Sequence, residues 1–181
     1  MLIVLCGLEI SYRIRKAQFN LKTSVDLSAL PQISDPGTIV ILKSKWYPEF
    51  VDSLSSACVK VLRRNGYHDI EEHVLPGSLE IPLAARDVLS EDTSNRVDAI
   101  ICFGIIVKGD TMHFELISQE SIGGLSKVMH EFRRPIIVEI LPVYEVEQAK
   151  ERSSDDEFNK GIEAAVAAIE MVAWRRRLLD Q

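Results

Sequence analysis

Apolar residues fall along this chain in short unbroken runs that alternate with stretches of helical spacing. Ile39, Val40, Ile41 and Leu42 follow Thr38 without a polar break, as in a strand covered on both faces. Pro48 suits a first helical turn. Phe50, Val51, Leu54, Ala57, Cys58, Val61 and Leu62 then recur at helical spacing, and Asn65-Gly66 is a stop signal. A short strand over 71–75 precedes Pro76-Gly77, and a helix from about Pro82 carries Leu83, Ala84, Val88 and Leu89. Residues 99–103 read as the next buried strand, closed by Gly104. Helical spacing returns from Phe114 to about Phe132. Pro135 then opens a strand over 136–141, and Pro142 ends it. From about Glu145 the chain is helical, with a break near 153–158 and a long Ala-rich helix over 161–179.

The predicted order is β-α-β-α-β-α-β-α-α. Strands alternating with helices imply a parallel sheet with right-handed crossovers and helices on both faces. Residues 1 to about 37 have no clean period and carry Pro31, Ser34, Asp35, Pro36 and Gly37. They read as an N-terminal extension before one body spanning 38–181. The length of 181 residues is enough for one such core. With 46% hydrophobic and 27% charged residues, a disordered or fibrous chain is excluded.

Charge removes another class. The net charge is −6, with a pI near 5.3, so the basic face of a nucleic-acid binder is not expected. A small anion remains possible, because a few Lys and Arg in one pocket suffice. Cys6, Cys58 and Cys102 form no C-x-x-C pair, and the latter two read as buried free thiols of a reducing compartment. The histidines show no metal-ligand spacing, so no metal site is expected. The apolar opening lacks a basic flank and is short for a signal, and no run is long enough to span a bilayer. The expected location is the cytoplasm.

Parallel α/β sheets bind ligands at the carboxyl ends of their strands. After the first strand stands Trp46, which either stacks on a planar ring or caps the core. After the second, Pro76 and Pro82 bracket Gly77, Ser78, Leu79 and Glu80. Glu80 either accepts hydrogen bonds from a ligand or sits at a helix start, where a carboxylate is favoured. After the third, Gly109, Asp110 and Thr111 precede a helix, and a helix amino end is an anion site. His113 at that start can act as a general base; the alternative is an ordinary Thr cap beside a surface His. The length of the loop, from Gly104 onward, argues for a purpose. Arg152 is either a bidentate phosphate partner or a solvated helix-end charge. Arg175-Arg176-Arg177 reads as a basic helix carboxyl end.

Four segments, in order, resemble those of the 6,7-dimethyl-8-ribityllumazine synthase family. PGSLEIP at Pro76 resembles the family's PGAFEIP, and GIIVKGDTMHFE at Gly104 resembles GxVIRGETxHFE. EQAKER at Glu147 resembles EQAxER, and Asn159-Lys160-Gly161 with Glu170-Met171 resembles the NKG…EM ending. The resemblance implies a flavodoxin-like, three-layer αβα fold with a four-stranded parallel sheet. It implies a homopentamer, or a multiple of pentamers up to a shell, with active sites between subunits. The implied reaction condenses 5-amino-6-(D-ribitylamino)uracil with 3,4-dihydroxy-2-butanone 4-phosphate in riboflavin biosynthesis, with no cofactor. By the same resemblance Trp46, Ser78, Leu79, Glu80, Val138 and Lys160 hold the pyrimidine and ribityl chain. Gly109, Asp110, Thr111 and Arg152 hold phosphate, and His113 is the acid/base residue. Leu79 and Val138 stand where the family usually has aromatic residues, and Glu139 where it has Gly. Tyr47, Lys108 and Pro142 replace its usual Asn, Arg and Thr. These departures keep a second reading open: a substrate-shifted or non-catalytic relative that binds flavin-type ligands or builds a shell.

Overall fold

The computed structural model describes residues 25–179. Cys6 and residues 1–24 of the expected extension lie outside the described residues. Four strands form one sheet: β1 (Thr38–Ser44), β2 (Ile70–Leu75), β3 (Val97–Val107) and β4 (Ile136–Val143). Their spatial order is β2-β1-β3-β4, and every pairing is parallel. Five helices connect and cover them: α1 (Pro48–Arg64), α2 (Ile81–Glu91), α3 (His113–Phe132), α4 (Val146–Arg152) and α5 (Lys160–Leu179). This is the expected element order and a three-layer αβα architecture.

Side-chain alternation along the strands builds two cores. Ile39, Ile41, Ile101 and Phe103 point to one face, where Leu54 and Cys58 of α1 meet Ala164, Ala165 and Ile169 of α5. Val40, Leu42, Ile100 and Cys102 point to the other, against Ile81 and Ala85 of α2 and Leu125 of α3. The small residues of α5 let it lie close to α1. A Cβ on Gly161 would stand 1.9 Å from the Leu54 carbonyl oxygen. Leu30 and Ile33 of the leading segment pack on this same core. Arg176 of α5 donates to the Ser34 and Asp35 carbonyls and to both carboxylate oxygens of Asp98. Asp98 also accepts from the Gly37 N–H and the buried Tyr67 hydroxyl.

Cys58 and Cys102 are buried and free, and burial pushes both thiols up, as expected of inert core cysteines.

Two expected boundaries shift. β3 runs through Gly104 to Val107 rather than ending at Gly104. Gly104 marks a close approach within the strand: a Cβ there would stand 2.5 Å from the Ser78 hydroxyl. The following loop therefore covers only Lys108 to Met112, and its length no longer argues for a purpose. Pro142 does not end β4 but lies inside it, paired with Ile106. β4 is an edge strand, where the missing N–H of a proline breaks no ladder on the open side.

Candidate active site

The carboxyl end of the sheet gathers the first group of expected residues. Trp46 follows β1 and is 60% exposed, so it does not cap the core. A Cβ on Gly77 would stand 2.9 Å from Glu80 Oε2 and 3.7 Å from Trp46 Nε1. The bare backbone of Gly77 thus lets the indole and the carboxylate stand side by side. Ser78 to Glu80 form one 3-10 turn leading into α2. Ser78 is buried against Gly104, while Leu79 and Glu80 are exposed. One planar ring and one carboxylate therefore face open space from adjacent strands.

After β3, Gly109, Asp110 and Thr111 are exposed at the amino end of α3. No side chain caps that helix. Its first-turn N–H groups are oriented to receive an anion, with the helix dipole behind them. The His113 N–H reaches Thr111 Oγ1 only at 3.4 Å, a weak contact, and the His113 side chain is exposed. Lys108 turns back along α3, pairing with Glu115 and lying 5.1 Å over the Phe114 ring. Phe114 in turn lies 6.0 Å from the ring of Tyr144, which follows β4 and is 71% exposed. Sequence reasoning did not single out Tyr144. An aromatic residue directly after a strand was the available signal, as at Trp46.

The remaining expected residues lie on β4 or after it in the chain. Val138 lies on β4, partly buried toward α2 and α3. Arg152 ends α4 and donates to the Gln148 carbonyl at 3.1 Å. Lys160 opens α5, and its ammonium stands 2.5 Å from Glu163. Val138 of β4 and Trp46, which follows β1, have β3 between their strands, about 10 Å apart at the usual strand spacing. The residues next to Arg152 and Lys160 instead meet α1, where Ser53 donates to the Ser153 carbonyl and accepts from the Asn159 amide.

Glu139 alternates with Val138 and faces the α5 layer, near Lys160 and Glu163. Burial pushes its carboxyl up to about 7, with Lys160 opposing and Glu163 adding to the shift. An unfolded chain releases this proton at the ordinary carboxylate value, whereas the fold holds it to about 7. Between those values the folded chain binds more protons, so stability falls as pH rises through that window. Glu139→Gln is expected to remove this fall and to make the chain more stable at pH 8, by on the order of 3 kcal/mol. Denaturant midpoints of both proteins at pH 5 and pH 8 check it. Equal slopes with pH would show that Glu139 ionises freely in the fold. Glu163 itself was not singled out from sequence, although its i,i+3 spacing from Lys160 was visible.

The arrangement offers an exposed ring, a carboxylate, a helix amino end without a side-chain cap and an imidazole around one rim of the sheet. Residues 37–176 match the 6,7-dimethyl-8-ribityllumazine synthase family. A 6,7-dimethyl-8-ribityllumazine synthase from Xanthobacter autotrophicus (strain ATCC BAA-1158 / Py2) is 37% identical over 142 residues, covering 77% of this chain and 86% of that relative. With a match this long on a sheet and rim of this form, the chain belongs to the 6,7-dimethyl-8-ribityllumazine synthase family.

Proposed function

We propose that this chain condenses 5-amino-6-(D-ribitylamino)uracil with 3,4-dihydroxy-2-butanone 4-phosphate to give 6,7-dimethyl-8-ribityllumazine, phosphate and two waters, in riboflavin biosynthesis. The observation that carries this reading is the uncapped amino end of α3, with Gly109 to Thr111 before it and His113 at its first position. A phosphate bound at that end brings the sugar ketone next to an imidazole. Trp46 stacks on the pyrimidine, and Ser78 and Glu80 hold the ribityl hydroxyls beside Leu79. The 5-amino group attacks the ketone carbon and expels its oxygen as water to give an imine, phosphate leaves by elimination, and the ribitylamino nitrogen closes the ring on the carbonyl this creates, with loss of a second water. Each step moves a proton, which His113 gives or takes. Holding both substrates in register lowers the remaining barrier.

Phosphate departure calls for a fixed cation as well as backbone donors. We assign that cation to Arg152, with Lys160 and Val138 closing the pyrimidine side, all from a neighbouring copy. The separation of Val138 from Trp46, whose strands have β3 between them, supports this. So do the exposed apolar side chains of Met112, Leu116, Tyr144 and Val146 near the rim. Light scattering on the purified protein is expected to give a mass of five 20.4 kDa chains or a multiple of five. A stable monomer with full activity would place the whole site in one chain and remove this assignment. Among the described residues no helix is long and apolar enough to cross a membrane. The buried free thiols fit a reducing compartment, and the cytoplasm is the proposed location.

The direct experiment is turnover of the two substrates, followed by lumazine absorbance and phosphate release. Turnover far above the uncatalysed background is expected. A folded oligomer that turns over neither substrate would overturn the reading and direct attention to Leu79, Val138 and Glu139.

A further inference from the structure

At the amino ends of the strands, opposite the candidate active site, the carboxyl ends of α3 and α5 meet. Between them lies a cavity of about 490 Å³ lined by Asn95, Asp98, Arg134, Val172, Arg175 and Arg176. A second hollow of about 320 Å³ shares Arg134 and Arg175 with it and is also lined by Arg133, Phe132 and Leu178. The arginines here fall into two kinds. Arg176 is committed to Asp98, at 2.9 Å and 3.0 Å. Arg133, Arg134 and Arg175 are not paired with any carboxylate among the described residues. Arg134 instead donates to the Asn95 side-chain oxygen at 2.5 Å.

Their crowding has a measurable sign. Arg175 is partly buried, and burial together with the positive charges of Arg134 and Arg133 pulls its guanidinium below the ordinary range. The two helix carboxyl ends relieve only part of this, since each is worth about half a negative charge. Most of the charge of three guanidiniums is left unopposed, in a chain whose net charge is −6. A surface selected only for solubility would not concentrate like charges in a hollow. Planar guanidiniums grip phosphate oxygens in bidentate fashion, and three of them lining two hollows that share Arg134 and Arg175 supply donors for more than one phosphate.

We propose that this cavity binds a condensed phosphate, the di- or triphosphate group of a small molecule, on Arg133, Arg134 and Arg175. Phe132, Leu178 and Val172 give the hollows apolar walls, which an organic body attached to the phosphates would cover. The site is independent of the proposed reaction, whose phosphate loop stands at the opposite pole of the sheet.

Calorimetric titration of the full chain at constant ionic strength tests it, with inorganic tripolyphosphate and a nucleoside triphosphate as probes. Saturable binding is expected, weakened at least about tenfold in an Arg134→Gln, Arg175→Gln double variant. Arg152→Gln is expected to keep the binding that the double variant loses, and the double variant to keep its lumazine turnover. The tighter of the two probes names the source, since only the nucleotide carries an organic body. Unchanged affinity in the double variant, or loss in Arg152→Gln instead, would move the anion to the active site and overturn the proposal.

Discussion

His113→Ala is expected to lower kcat for lumazine formation about 10²–10⁴-fold, the usual contribution of a positioned acid/base group. That corresponds to about 3–5 kcal/mol of barrier. The side chain is exposed at the first position of α3, so its removal opens no cavity and leaves the fold intact. The phosphate loop before it depends on backbone groups that alanine retains. KM for the butanone phosphate is therefore expected to change far less than kcat. Melting temperature and oligomer mass check that assembly survives. A variant as fast as its parent would take His113 out of proton transfer and leave positioning as the source of rate.

Gly161→Ala is expected to have the largest effect on stability. The added Cβ would stand 1.9 Å from the Leu54 carbonyl oxygen and 2.7 Å from its carbon. Both atoms are backbone within α1, where the helical ladder holds them, so neither can rotate aside. The helices must instead part along the seam of Leu54, Cys58, Ala164 and Ala168. Overpacking of this kind costs about 1–3 kcal/mol and sometimes more. The upper end is expected here, a fall of roughly 6–12 °C in melting temperature for a chain of this size. Scanning calorimetry reads the change. A shift below about 2 °C would mean that α5 moves off α1 at little cost. Lys160 precedes Gly161 directly, so turnover should fall along with stability.

The architecture was legible because its central strands, β1 and β3, are buried on both faces and its helices are amphipathic or small-faced. Unbroken runs such as Ile39 to Leu42 have few other readings. Misread boundaries occurred where a neighbour decided the outcome. Gly104 looks like a stop until Ser78 is seen against it, and Pro142 looks like one until β4 is seen to be an edge. Glu139 shows a deeper limit. Its substitution for glycine was visible, but not its burial beside Lys160 and Glu163, because residues 139 and 160 meet only through packing of α5 on the sheet. The separation of Val138 from Trp46 was likewise hidden, since it follows from the β2-β1-β3-β4 order.

The contact between Arg176 and the Ser34 and Asp35 carbonyls also has a practical consequence. It brings the entry to β1 and the last turns of α5 to the same end of the sheet, away from Trp46 and His113. A fluorescent protein or affinity handle tethered at either end of residues 25–179 would leave from that far pole. Such fusions are a convenient way to carry cargo on this scaffold with its reaction rim uncovered.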